Sequence, residues 1–283
     1  MTMRHQCLLC GGSCDGVHVN LLNPDEKAQI KRLGKRLKVR RPVLNNALRQ
    51  EHGRCVFLQP DNKCIIHSRL GVEAKPMVCH QYPLIGVQVN GERRWGIDPG
   101  CYATFETWRS GPSLEPPPSA FGLVRQLDDE TKRLETMVLH LLRQPDMSMA
   151  KLVHGLTNTK LDEFCGSIKS RLGDFPLAEI LGRPVSGKLL GRILEPLVHL
   201  LQSTNPLPTV LTLDPLLDAF ALHATTNMIR LVLAPHLPPP HVALLMCMGT
   251  TMAAAIHDDP AQSGRLLSAW SRVVRLPVRR PHR

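Results

Sequence analysis

Aromatic side chains make up only 4% of this 283-residue sequence, so any core it builds must be mostly aliphatic. Acidic residues are also in deficit: 24 Asp and Glu face 35 Lys and Arg, for a formal charge of +11. That imbalance favours an acidic partner, whether nucleic acid, an anionic membrane surface or an acidic protein. Long apolar runs are missing as well. The opening "MTMRHQCLLCGG" lacks the apolar stretch of a signal peptide. The longest apolar window, "HVALLMCMGTTMAAAI" at 241–256, is short for a spanning helix and contains two threonines and a glycine. It reads as a buried core helix, which leaves no membrane span and places the chain in the cytoplasm, where thiols stay reduced. The glycine-rich places "CGGSC", "NGERRWGIDPG" and "RSGPS" never form a G-x-G-x-x-G after a strand, so the doubly wound methyltransferase fingerprint is absent.

What is present is a soluble globular composition, 43% hydrophobic and 21% charged, long enough for one large domain or two ordinary ones. "SGPSLEPPPSA", 110–120, carries four prolines without periodicity and reads as a linker. After it, apolar residues recur at helical spacing. In "LVRQLDDETKRLETMVLHLLR", 123–143, the spacing puts Leu123, Leu127, Leu134, Met137, Val138 and Leu141 on one face. The expected fold is therefore mostly α. A small irregular cysteine-rich domain spans 1–109, the linker spans 110–120, and an irregular bundle of six to eight helices spans 121–275. A basic tail, 276–283, is read as disordered.

One helix of the first half is well signalled. In "NLLNPDEKAQIKRLGKRL", Asn23 is placed as N-cap, Pro24 at the first helical position and Glu26 three residues after the cap. The cations Lys31, Arg32, Lys35, Arg36 and Lys38 fall toward the negative end of the helix dipole. This run reads either as a solvated face matched to the dipole or as a contact surface for an anion.

The cysteines are skewed: seven of nine lie in residues 1–101. Their order is Cys7-x2-Cys10-x3-Cys14, then Cys55-x8-Cys64-x14-Cys79-x21-Cys101. A C-x2-C pair lets two thiolates meet one metal from a tight turn, and Gly11 and Gly12 supply the backbone freedom that such a knuckle needs. With four further cysteines inside the next ninety residues, the pattern points to metal rather than to disulfides or to a thioredoxin-like dithiol, whose strand–C-x2-C–helix context is missing. Thiolates suit tetrahedral zinc and iron–sulfur clusters equally. Seven exceed one four-ligand site, which leaves two arrangements open: a four-thiolate site plus a three-thiolate site completed by histidine, water or substrate, or one cluster with the remaining thiols structural or regulatory. His67 and His80 are the nearest nitrogen candidates. Cys165 and Cys247, isolated in apolar surroundings, read as small core hydrophobes.

The stretch "GRCVFLQPDNKCIIHSRLGVEAKPMVCHQYP", 53–83, resembles the bacterial cysteine-cluster family described as zinc- or iron-chelating, which includes flagellin lysine-N-methylase and its relatives. The resembling features are G-x-C-x-F-L, C-x-I-H-x-x-L-G and K-P-x-x-C-x-x-Y-P. They are joined by the opening C-x2-C, by the "LNPDE" helix start and by the lone cysteine of "GIDPGCYATF". The resemblance covers residues 7–105. It implies a metal centre, a 4Fe–4S cluster or zinc, with Cys7, Cys10, Cys14, Cys55, Cys64, Cys79 and Cys101 as candidate ligands. It also implies a link to methylation of protein lysines by S-adenosylmethionine. The chain departs from the family's commonest form in "CGGSCDG", which lacks an adjacent Cys–Cys pair.

Two functional readings follow. In the first, the N-terminal thiolates hold the metal and the helical part presents a protein substrate to a lysine N-methylase. In the second, the chain is a non-catalytic zinc module that binds nucleic acid or another acidic partner through 31–41 and the arginine-rich tail.

Overall fold

Asn23 opens the first helix: its side chain accepts a hydrogen bond from the Glu26 amide at 2.8 Å, and α1 runs Pro24–Leu37. Ile30, Leu33 and Leu37 turn inward, whereas Lys31, Arg32, Lys35, Arg36 and Lys38 remain exposed. The helix ends at Lys38 in a left-handed conformation, its amide closing onto the Gly34 and Lys35 carbonyls. The computed structural model describes residues 3–15, 23–115, 123–172, 188–203, 207 and 212–275. Residues 116–120 of the proline-rich stretch and the basic tail 276–283 lie outside them.

After α1 come two short antiparallel ribbons. In the first, β1 (Val43–Leu44) pairs with β2 (Ala47–Leu48), and in the second, β3 (Gln50–Glu51) pairs with β4 (Arg54–Cys55). Two short helices follow, α2 (Ile65–Leu70) and α3 (Met77–Gln81). A small core of Ile30, Leu33, Leu37, Leu48, Phe57 and Ile66 gathers these pieces, and Cys55, Cys64 and Cys79 pack against it. The longer strands β5 (Leu84–Val89) and β6 (Glu92–Ile97) form a hairpin whose turn residues, Asn90 and Gly91, are both left-handed.

The chain on either side of the proline-rich stretch is interwoven. The third strand of the hairpin sheet, β7 (Leu123–Arg125), comes from beyond it and pairs in parallel with β5. Before it, the Leu114 amide donates to the Met3 carbonyl at 2.9 Å and the His5 amide to Pro112 at 3.2 Å, so residues 112–114 are tied to the chain's start.

A short helix, α4 (Thr104–Thr107), precedes the proline-rich stretch. Among the described residues, seven helices follow it: α5 (Asp129–Leu142), α6 (Met149–Thr157), α7 (Leu161–Leu172), α8 (Lys188–Gln202), α9 (Pro215–Arg230), α10 (Pro239–Ile256) and α11 (Pro260–Val274). The side chains of Asp128, Ser148, Asp214 and Asp259 each accept from an amide in the first turn that follows. The fold is thus mostly α, an irregular cysteine-bearing region followed by helices.

α10, the apolar window of the sequence, is the core helix. Its Met246 and Cys247 are fully buried, and Thr250 and Thr251 return their hydroxyls to carbonyls of their own helix. Gly249 is required there, because a Cβ would stand 2.1 Å from the Trp270 ring. Trp270 in turn donates its indole N–H to the Leu245 carbonyl at 2.7 Å. Cys165 is equally buried, as a small core residue.

The face predicted over 123–143 needs correction. Leu123 belongs to β7, Met137 is exposed, and the inward face of α5 is Glu135, Val138 and Leu139. The apolar period misled because a carboxylate occupies a core position: Glu135 is ion-paired with Arg94 of β6.

Candidate metal centre

The site begins in "CLLCGGSC". Gly11 has φ 67°, and a Cβ on it would lie 2.1 Å from the Asn62 carbonyl oxygen, so the loop folds tightly onto the 59–63 turn. A Cβ on Gly12 would lie 2.1 Å from the Tyr102 ring. These two glycines let the thiol loop lie between the turn and the ring. A one-turn 3₁₀ helix at Gly12–Cys14 then delivers Cys14 inward, and Asp15 makes an antiparallel bridge with Arg54. That register places Cys14 opposite Cys55. Asp15 is fully buried, with a carboxylate oxygen 3.9 Å from the Arg54 guanidinium.

Cys64 arrives by a second bridge, to Leu58, and sits as the residue before α2. Pro76 opens α3 and fixes the approach to Cys79. Four thiols from four segments therefore converge, and Cys79 lies within electrostatic reach of Cys14, Cys55 and Cys64. Burial pushes the Cys55 thiol up to about 11, with the charge of Cys64 adding to it. Cys14 and Cys79 are raised too, first by burial and then by the other thiolates, with Lys75 opposing. Phe57 and Ile66 are buried on the same side and supply the apolar shell.

The other three cysteines are placed differently. Cys7 is exposed at the edge of the group, within reach of Cys14. Cys10 is exposed and Cys101 buried, and both lie within electrostatic reach of Tyr102. His67 stands one turn after Cys64, with a buried Nδ1 that has no hydrogen-bond partner among the described residues. His80 lies with its Nε2 3.4 Å from the Glu73 carboxylate. Among the described residues, no three His, Cys, Asp or Glu side chains stand as a ready group to hold a metal ion. What the fold supplies is the convergence of the backbone segments. The donors fit a thiophilic metal: they are withdrawn from water and disfavour one another's ionisation, a cost that a bound cation would reverse.

Sequence reasoning missed the residues that brace the thiol loop from the far end of the chain. Arg272 of α11 donates to the Gly12 carbonyl at 3.0 Å and to the Gly100 carbonyl at 2.7 Å. Its guanidinium also stacks 4.4 Å from the Tyr102 ring centroid. Arg275 pairs with the Asp98 carboxylate, which also accepts from the Gly100 amide at 2.7 Å. Tyr102 stood beside a cysteine in the sequence and could have been flagged. Arg272 carries no local signal at all.

A thiol-rich domain braced by a helical body is the class of protein these features define. Residues 6–101 match a family model, CxxCxxCC, described as "Putative zinc- or iron-chelating domain". The match covers about a third of the chain, the part that carries seven of its nine cysteines, and supports metal binding there. No curated protein and no solved structure matches the chain.

Proposed function

We propose that the chain holds one metal centre, an iron–sulfur cluster or zinc, on Cys14, Cys55, Cys64 and Cys79, with Cys10 and Cys101 outside it. The observation that carries this reading is the pairing register, which sets Cys14 opposite Cys55 and brings Cys64 and Cys79 against the same small core. A four-thiolate set satisfies tetrahedral zinc or a cubane cluster. Protein purified without oxygen is expected to be brown and to contain iron and acid-labile sulfide. Colourless protein with stoichiometric zinc would select zinc instead, and protein devoid of both metals overturns the reading.

Methyl transfer to protein lysines is the finer reading, and its support is the family resemblance. Bound S-adenosylmethionine would supply the methyl group, and the helical body would present the protein substrate. Metal-loaded protein is expected to incorporate label from methyl-labelled S-adenosylmethionine into lysate proteins. No incorporation at full metal occupancy sinks this reading without touching the metal centre.

A further inference from the structure

A cleft of about 330 Å³, lined by none of the cysteines, opens between β6, α5 and the end of α9. Its walls carry three guanidinium groups, Arg94, Arg143 and Arg230, against two carboxylates, Glu92 and Glu135, with His140 beside them. Arg94 is committed: it pairs with both glutamates and donates to the Arg230 carbonyl at 3.3 Å. Arg94 thus bridges both carboxylates, and the three guanidiniums against two carboxylates leave the cleft one net positive charge. Among the described residues, Arg143 and Arg230 have no carboxylate partner.

An ion-pair network joining hairpin to helices would explain Glu92, Arg94 and Glu135 and the balancing of one further guanidinium, but it does not need both of the other two arginines. Those two stand at helix ends, where their charge offsets the carbonyl termini. That effect accounts for only a fraction of a charge per helix, and Arg94 already serves the Arg230 carbonyl. Arg230 lies within electrostatic reach of the other four charged groups: its guanidinium is held below its usual range first by burial and then by Arg94 and Arg143, with Glu92 and Glu135 opposing.

We propose that this cleft binds the phosphate of a small phosphomonoester, gripped between Arg143 and Arg230. A dianion with three acceptor oxygens answers two guanidinium forks from two helices, with the His140 imidazole beside the Arg143 fork, where a single carboxylate matches only one fork. The volume lies at the small end of ligand pockets and leaves room beside the phosphate for a body of sugar size. Thr136 lines that remaining space with a hydroxyl, and Leu139 lines it with an apolar floor.

Titration calorimetry on the full, metal-loaded chain at low ionic strength tests this, with ribose 5-phosphate, inorganic phosphate and citrate as probes. Ribose 5-phosphate is expected to bind saturably and inorganic phosphate more weakly. Arg143→Ala and Arg230→Ala should each weaken binding roughly ten- to hundredfold, the worth of a charge-assisted hydrogen bond. Arg69→Ala, an exposed arginine of α2, should leave it unchanged. Arg143 is itself exposed, so its variant keeps the test decisive if Arg230→Ala fails to fold. The proposal is overturned by the absence of saturable heat with either phosphate probe, by equal weakening in Arg69→Ala, or by citrate binding more tightly than ribose 5-phosphate.

Discussion

Serine in place of Cys55 is expected to empty the metal centre. Cys55 stands at the middle of the convergence: it ends β4, lies opposite Cys14 and packs against the core that also holds Cys64 and Cys79. A structural thiolate site contributes on the order of 10–16 kcal/mol of apparent folding free energy in small metal domains. The loss of one ligand therefore removes the metal and loosens the surrounding core, which has few apolar residues of its own. Serine at Cys14, Cys64 or Cys79 is expected to act in the same way. Serine at Cys10, which is exposed, is expected to leave metal content at the wild-type level. Metal analysis by mass spectrometry on the purified variants reads this directly. Full occupancy in Cys55→Ser, or equal loss in Cys10→Ser, would discard the four-thiol assignment.

The second large effect lies at Asp98. Burial alone would raise its carboxyl, but Arg275, the Gly100 amide and Arg272 together hold it below the ordinary carboxylate range. Asp98→Ala leaves the Arg275 guanidinium largely buried and without its counter-charge, a change that costs about 3–5 kcal/mol. For a chain of this size the melting temperature should fall by roughly 10 °C. The pH dependence has a definite sign. Because the folded state binds the proton more weakly than the unfolded state, the stabilisation is present above the unfolded carboxyl value of about 4 and is lost as pH falls through the lower folded value. Wild type and Asp98→Ala should therefore converge in stability under acid, as measured by urea unfolding between neutral pH and the acid limit. A constant gap across that range would show that Asp98 acts through packing rather than charge.

How far the sequence carries is clearest residue by residue. Asn23, Pro24 and Glu26 announced α1 because capping is local: donor and acceptor lie within three positions. The apolar helix at 239–256 was legible because its sequence is apolar on all sides and its two threonines can bond backward within the helix. Cysteine spacing pointed to a metal domain, and the family match over 6–101 agrees. The grouping of the thiols was not legible, because it depends on the Asp15–Arg54 register, a pairing between segments nearly forty residues apart. Glu135 defeated the periodicity of α5 for the same reason, since its partner Arg94 sits on another element. Arg272 lay furthest beyond reach, an unremarkable cation in an amphipathic helix until the fold set it against Gly12.

That last contact bears on how the protein is made. Gly12 and Arg272 are separated by 260 positions, and at ordinary rates of translation roughly 10–50 s pass between their synthesis. For all of that time the thiol loop exists without the guanidinium that braces it from behind. The cysteines of that loop are therefore made early and braced late: the loop gains its last support only when Pro260–Val274 has emerged.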